Sequence, residues 1–314
     1  MEIQITDTPA DVYRPSRELL AAINTALFLK RPLLLSGDPG TGKTACAAFV
    51  ARRLNFLYPF LFSSPEALRF DTKSGSQSSD LFYNYDAVSH FGDKTGKSRE
   101  AYIEFTGLGV ALLGTRPANP AWNIFSNYEK AVLSRKPPFG SVVLIDEIDK
   151  APRDFPNDLL AELERPPFKF SIRELGDFTI EQDPQFPVFI IITSNNEKGL
   201  PDAFLRRCVF HHINFPDTAE LLEIVKNNLH LNDPHLEAAI TQFSELRQMN
   251  LLKKPSTSEL IDWIACLHQR RLLGSSLSNW QYADTEYKQR LVETLGIICK
   301  SKTDFETISR EILG

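Results

Sequence analysis

The chain has 314 residues, 42% of them hydrophobic, so it can bury a sizeable core in one large domain or two unequal ones. Its formal net charge of -5 argues against non-specific binding of nucleic acid, and it contains neither an apolar run of about 18 residues nor an N-terminal export signal, so we expect no membrane span. Its four scattered cysteines, with no C-x-x-C pair, are typical of reduced thiols in a cytoplasmic protein.

Over the first two-thirds of the chain, apolar runs of strand length alternate with amphipathic helix patterns. The predicted helices are SRELLAAINTALFL, TACAAFVARRL and PNDLLAELE, and the predicted strands are PLLLSG, YPFLFS, SVVLID and PVFIIITS. The strand runs are almost continuously apolar, as parallel strands covered on both faces require. We therefore predict a three-layer αβα core with a parallel sheet.

Residues 71–106 fit neither pattern, because they mix polar turns with Tyr and Phe. We predict a short helix around SSDLFYNYDAV and then a polar hairpin or loop tipped by GDKTGKS. This segment is interpreted as an insertion into the α/β core. Its Tyr83 and Tyr85 could grip a substrate, although packing of the insert against its own domain is the favoured interpretation.

After the segment HHINFPDT the strand patterns stop. The remaining chain contains AELLEIVKNNL, PHLEAAITQFSELRQM, SELIDWIACLHQRRLL and YKQRLVETLGIIC, each with apolar residues spaced at the helical period. We therefore predict two domains, an α/β core over residues 1–214 and a smaller all-helical domain over residues 215–314.

The segment GDPGTGKT, residues 37–44, lies between a predicted strand and a predicted helix and matches the pattern G-x-x-x-x-G-K-[ST] throughout. Its glycines allow the backbone to wrap so that N–H groups point at phosphate oxygens, and the helix that follows directs its positive end at the same anion. Lys43 is expected to reach the β- and γ-phosphates, and Thr44 to ligate Mg²⁺. The predicted nucleoside triphosphate site comprises Gly37, Asp38, Pro39, Gly40, Thr41, Gly42, Lys43, Thr44 and Asp146.

Asp146 and Glu147 follow the apolar strand SVVLID. Neighbouring side chains diverge in a strand, so these carboxylates are expected to have different tasks. Asp146 is suited to hold Mg²⁺ through water beside Thr44, and Glu147 to act as general base on the attacking water. The alternative is that these acidic residues only cap a helix. The sequence has no N-K-x-D signature, which argues against a GTPase.

A third element, VFIIITSNNEKGLPDAFLRRC, occupies residues 188–208. Asn195 could orient the nucleophilic water or contact the γ-phosphate. Arg206 and Arg207 end a short predicted helix, from which an arginine could reach the nucleotide of an adjacent subunit and stabilise the transition state. The alternative is that Asn195 caps a turn and that both arginines are solvated.

The order GDPGTGKT, LIDEIDKA, ITSNN and LPDAFLRRC, followed by a helical lid, resembles the AAA+ ATPases over residues 12–270. The insert and the segment RPPFKFSIRELGDFTIEQDPQFPVFIIITSNN are similar to the helix-2 insert and pre-sensor hairpin of the MoxR-type branch. The resemblance implies a homo-oligomeric ring, commonly a hexamer, with ATP at each subunit boundary. It also implies that Asn195 is the first sensor and Arg207 the arginine finger, with Arg206 as the alternative finger.

The sequence departs from this family at the second sensor, an arginine in a pattern like S-P-R. The corresponding stretch here is KPSTSEL, and Glu259 occupies the arginine's position. A carboxylate cannot stabilise phosphate charge. Lys253, Lys254 or a finger would have to substitute, or lid closure would be sensed differently.

By resemblance, the favoured function is an ATP-driven ring that remodels or matures a protein client, with a separate von Willebrand A-type partner. One alternative is a nucleic-acid machine, which the acidic charge disfavours. The other is a nucleotide-gated scaffold or sensor of a bacterial conflict system, which the altered second sensor favours. All three use ATP and Mg²⁺.

Overall fold

The computed structural model describes residue 5 and residues 13–163, 166–195, 199–278 and 280–314. The chain forms two compact units, one comprising Met1–Gly37 and Gly42–Ile213, the other Asp38–Thr41 and Asn214–Gly314. The sequence predicts a boundary after residue 214, close to the point where the main part of the second unit begins. The prediction does not include the assignment of residues 38–41 to the second unit. Within the described residues, no helix is long and apolar enough to cross a membrane.

A five-stranded parallel sheet forms the centre of the first unit, and two antiparallel hairpins accompany it. In the sheet the strand order is β2-β5-β8-β1-β9, whereas β3 pairs with β4 and β6 pairs with β7. The strands are β1 (Leu33–Ser36), β2 (Leu68–Asp71), β3 (Tyr83–Tyr85), β4 (Ile103–Phe105), β5 (Ser141–Asp146), β6 (Lys169–Ile172), β7 (Phe178–Glu181), β8 (Val188–Ser194) and β9 (Val209–His212).

Helices cover both faces of this sheet, because successive side chains of a strand point to opposite sides. Leu33 and Leu35 pack in one core with residues of α1 and α2, and Leu34 packs in the other with residues of α4 and α6. The predicted αβα core with a parallel sheet is confirmed. The helices of this unit are α1 (Arg17–Leu29), α2 (Lys43–Leu57), α3 (Ala87–Gly92), α4 (Gly107–Gly114), α5 (Tyr128–Ala131), α6 (Phe155–Glu162) and α7 (Asp202–Leu205).

The prediction of a strand at YPFLFS was wrong. Residues 58–63 form a turn at the end of α2. Tyr58 is the C-terminal cap of the helix, and its carbonyl accepts hydrogen bonds from the backbone N–H groups of Leu61 and Phe62. Phe62 is buried, and its backbone forms an isolated bridge with Gly140. The strand in this part of the chain is β2, an edge strand whose alternating burial differs from the continuous apolar runs of the central strands.

The insert also differs from its prediction, because SSDLFYNYDAV is not one helix. It contains a 3₁₀ turn (Ser78–Leu81), strand β3 and the start of α3, whose cap residue Asp86 accepts a hydrogen bond from the Ser89 N–H at 2.9 Å. Tyr83 is buried, and its ring stacks with Phe170 of β6. Tyr83 therefore packs within its own unit.

The second unit is helical from Thr218 onward, with a core that includes Phe243 and Trp263. The predicted helix YKQRLVETLGIIC is shorter than expected, since it ends at Val292 and a 3₁₀ turn follows. The helices are α8 (Thr218–Leu229), α9 (Leu236–Gln248), α10 (Thr257–Gln269), α11 (Ser275–Ser278), α12 (Thr285–Val292) and α13 (Lys302–Leu313).

Candidate active site

The carboxyl ends of β1, β5 and β8 lie at the same edge of the sheet, because these strands are parallel neighbours. Strand β1 leads into Gly37, β5 ends at Asp146, and β8 ends one residue before Asn195. Ligands of open α/β sheets bind at this edge. The fold therefore brings together the polar residues that the sequence singled out.

Gly42 and Lys43 connect β1 to α2. Gly42 has φ of +89° and precedes the helix, and a Cβ at this position would lie 2.9 Å from the Tyr13 ring. Lys43 is the first residue of α2, and its buried ammonium donates a hydrogen bond to the Gly37 carbonyl at 2.7 Å. The lysine thus folds back along the loop that would surround a phosphate.

Asp146 is only 5% exposed and lies within hydrogen-bond distance of two hydroxyl groups. Thr193 Oγ1 donates to Asp146 Oδ1 at 2.5 Å, and Thr44 Oγ1 lies 3.2 and 3.3 Å from the two carboxylate oxygens. A hydroxyl beside a carboxylate supplies the hard oxygen ligands that Mg²⁺ prefers. The donor set of Thr44 and Asp146 therefore fits this ion.

Glu147 has a left-handed backbone with φ of +54°, and its carboxylate has different hydrogen-bond partners from that of Asp146. Its Oε1 accepts a hydrogen bond from Asn195 Nδ2 at 3.2 Å, and its Oε2 accepts one from Lys150 Nζ at 2.5 Å. The bond to Glu147 raises the pKa of Lys150. Glu147 makes no capping bond to the helical turn that follows, and Asn195 reaches Glu147 instead of only capping a turn.

Arg206 and Arg207 follow the four-residue helix α7, as the sequence predicts. Arg206 is exposed and Arg207 is half-buried, and two residues later the chain enters β9 beside β1. Their assignment to an adjacent subunit stays a prediction. Asn196, Glu197 and Lys198 of the predicted segment 188–208 lie outside the described residues.

A family model described as "ATPase family associated with various cellular activities (AAA)" matches residues 33–217, which is more than half of the chain. The chain belongs to the AAA family. It is therefore an ATPase that binds ATP, and the matched segment contains residues 37–44, Asp146, Glu147, Asn195, Arg206 and Arg207.

Two solved structures resemble this AAA chain. The FIGL-1 AAA domain in complex with ADP is 15% identical, with a TM-score of 0.43, and the match covers 98% of this chain and 91% of that one. The Hsp104–ADP complex of S. cerevisiae is 17% identical, with a TM-score of 0.42, and the match covers 82% of this chain and 46% of that one. Comparison with curated proteins found no match.

One arginine of this AAA site was missed by the sequence analysis. Arg69 of β2 donates from Nη2 to Asp146 Oδ2 at 2.9 Å and from Nε to Asp71 Oδ1 at 2.7 Å. A prediction that β2 pairs with β5 would indicate this contact, because the pairing puts Asp71 opposite Asp146, and Arg69 lies two residues before Asp71 in β2. The incorrect strand at YPFLFS concealed that pairing.

Glu259, at the expected position of the second sensor, caps α10. Its Oε2 accepts hydrogen bonds from the Ser256 N–H at 2.6 Å and the Ser256 hydroxyl at 2.9 Å, while Ser256 caps the Glu259 N–H in return. Reciprocal bonds of this kind form a capping box. Of the suggested substitutes, Lys253 and Lys254 are both exposed.

A second arginine, Arg247, contacts the segment 38–41 within the second unit. Its Nη2 donates to Asp38 Oδ2 at 2.6 Å, and its guanidinium lies 3.6 Å from the centroid of the Phe215 ring. Nη1 donates to the Pro255 carbonyl at 3.2 Å. Arg247 is therefore firmly held, and the helix pattern of α9 gives no sign of this contact.

Proposed function

We propose that the chain is a MoxR-type AAA ATPase that hydrolyses Mg²⁺-bound ATP at the subunit boundaries of a ring. The observation that carries this proposal is the separation of the two carboxylates. Asp146 contacts the Thr44 hydroxyl, and Glu147 contacts the Asn195 amide. One acidic group is thus available for a metal and the other for water, which hydrolysis requires.

The residues divide the chemistry between binding and proton transfer. Lys43 and the glycine-rich backbone would hold the phosphates, and Thr44 and Asp146 would hold Mg²⁺. The ion, when bound, would neutralise charge on the β- and γ-phosphates. Glu147 would accept a proton from the attacking water at a carboxylate oxygen, and Asn195 would fix the direction of that carboxylate.

The ring proposal depends on the arginines that follow α7. In this proposal Arg207, or alternatively Arg206, stabilises transition-state charge on the nucleotide of the adjacent subunit. The short helix α7 supports it, because the chain runs from both arginines directly into the edge strand β9, which puts them near the edge of the sheet. A hexamer is the expected ring, as in relatives of this type.

The client proposal is supported by the insert. Val88 and Phe91 of α3 are 86% and 85% exposed, and they lie three residues apart on one helix face. Exposed apolar side chains of this kind suit contact with a protein. We propose a protein client, with a separate von Willebrand A-type partner, in the cytoplasm.

The test is ATPase activity per subunit as a function of protein concentration. We expect activity to rise with concentration, and we expect Glu147→Gln and Arg207→Ala to abolish it while a fluorescent ATP analogue still binds. Glu104→Gln changes an exposed strand residue outside the site and serves as the control. Activity that is independent of concentration and of Arg207 would contradict the ring. Stimulation by DNA would favour a nucleic-acid machine, and binding without turnover a nucleotide-gated scaffold.

A further inference from the structure

Arg69 joins two carboxylates at the ends of neighbouring strands. Its side chain is 52% exposed, whereas the side chain of Asp146 is 7% exposed and that of Asp71 is 63% exposed. A buried carboxylate is costly unless a cation or hydrogen-bond donors compensate its charge. Arg69 supplies a cation for Asp146 within this unit.

Arg69 and Thr193 donate to different oxygens of Asp146. Oδ1 accepts the short hydrogen bond from Thr193, while Oδ2 accepts from Arg69. The Thr44 hydroxyl lies more than 3 Å from either oxygen. A Mg²⁺ ion bound to the Thr44 hydroxyl, which lies 3.2 Å from Oδ2, would bring a second cation to the oxygen that accepts from Arg69, so the ion and the guanidinium compete for this carboxylate.

The half-exposed Arg69 side chain has a second carboxylate partner, Asp71. Its Nε already donates to the exposed Asp71 at 2.7 Å, and solvent reaches both groups. The two bonds use different nitrogens, and solvent can hydrate Nη2 once it leaves Asp146, so Nε can stay with Asp71 during that step. Asp71 therefore lowers the free-energy cost of moving the Arg69 guanidinium away from Asp146.

We propose that Arg69 is an exchangeable counter-ion of Asp146, which neutralises this carboxylate when no metal is present and withdraws toward Asp71 when Mg²⁺ binds with nucleotide. This rests on the proposed metal role of Asp146. Arg69 is then a residue that sets metal affinity. It ensures that the buried carboxylate is compensated in either state.

The opposite role makes the opposite prediction. If Arg69 only positioned Asp146 for the metal, its removal would disorder a ligand and weaken metal binding. If it competes with the metal, its removal leaves the ligand in place and strengthens metal binding. Affinity for the ion therefore separates the two, independently of turnover.

The experiment measures Mn²⁺ affinity in the presence of saturating ADP by electron paramagnetic resonance. We expect Arg69→Gln to bind Mn²⁺ about three- to tenfold more tightly than the parent, the effect of losing one partly exposed ion pair. Arg69→Lys keeps the charge and should remain close to the parent. Arg99→Gln removes an exposed arginine outside the site and is the control.

A second readout is thermal unfolding without metal or nucleotide. Arg69→Gln should lower Tm by a few degrees, because Asp146 loses its counter-ion, and Mn²⁺ with ADP should recover most of that loss. Unchanged or weaker Mn²⁺ binding by Arg69→Gln would overturn the exchange. Asp146→Asn should weaken Mn²⁺ binding; if it does not, the metal role fails, and the exchange fails with it.

Discussion

The side-chain amide of Asn195 donates to the carboxylate of Glu147, with 3.2 Å between Nδ2 and Oε1. The Asn195 N–H in turn donates to Asp149 Oδ1 at 3.0 Å, which fixes the residue that holds Glu147. Asn195 thus stands between the end of β8 and the residues after β5. These contacts link a polar residue at the end of one strand to the proposed general base at the end of another.

Loss of the Asn195 amide should impair catalysis more than binding. We expect Asn195→Ala to lower kcat about ten- to hundredfold, since a general base contributes only when it is correctly directed. Affinity for ATP should change by less than about twofold, because in the proposed mechanism the Asn195 amide directs Glu147 and does not hold a phosphate. Steady-state kinetics with a separate nucleotide-binding measurement distinguishes the two. A large fall in affinity with unchanged kcat would assign Asn195 to the phosphate.

Arg247 should affect the nucleotide loop, whereas the exposed lysines of the second unit should not. We expect Arg247→Gln to weaken ADP binding about three- to tenfold, because Asp38 loses a charge-assisted hydrogen bond. Lys253→Gln and Lys254→Gln are matched controls with no expected effect. Combining Arg247→Gln with Asp38→Asn in a double-mutant cycle measures the coupling directly. Additive effects would show that the ion pair does not act on the loop.

Glu259 should contribute to stability and not to turnover. Glu259→Ala breaks the capping box of α10, so we expect it to lower the unfolding free energy by about 1 kcal/mol. The value of kcat should stay within about twofold of the parent, because the carboxylate is engaged by Ser256. Denaturant unfolding and steady-state ATPase assays measure the two quantities. Abolished turnover in a normally stable variant would restore a catalytic role.

Cys46 should make stability fall at alkaline pH. Burial raises the pKa of its thiol from 9.0 to about 12. The contribution of this thiol to the free energy of unfolding is fully present below pH 9 and is lost as the pH rises toward 12. In that range the thiol of the unfolded chain releases its proton, whereas the thiol of the folded chain keeps it. We expect a loss of up to about 1.4 kcal/mol per pH unit above 9, relative to Cys46→Ala. Parallel pH dependences of parent and variant in urea unfolding would contradict this.

The part of the site that the sequence predicted consists of local patterns. A glycine-rich turn between a strand and a helix and a pair of acidic residues at a strand end are each contiguous in the chain, as in GDPGTGKT and SVVLIDE. The parallel sheet then brings these strand ends to one edge. No long-range information is needed beyond the alternation of strands and helices.

The missed parts depend on edges and on distant packing. Strand β2 is four residues long and alternates in burial, so a search for apolar runs selects the more apolar YPFLFS and does not single out Arg69. The secondary structure of the insert is not predicted correctly for a related reason, because β3 and α3 are too short for their apolar residues to show the period of a strand or a helix. Arg247 lies 209 residues from Asp38, and nothing in a helical pattern indicates such a partner.

Gly40 occupies a position that the pattern G-x-x-x-x-G-K-[ST] leaves open to any residue. Its φ is +79°, and a side chain there would begin 2.6 Å from the Cβ of Ser256, the residue that caps α10. The absence of a Cβ at Gly40 therefore meets two separate requirements, the positive φ of the loop and the close approach of Ser256. A substitution that the motif permits would push against a helix cap more than 200 residues away, so this glycine belongs to the architecture of α10 as much as to phosphate binding.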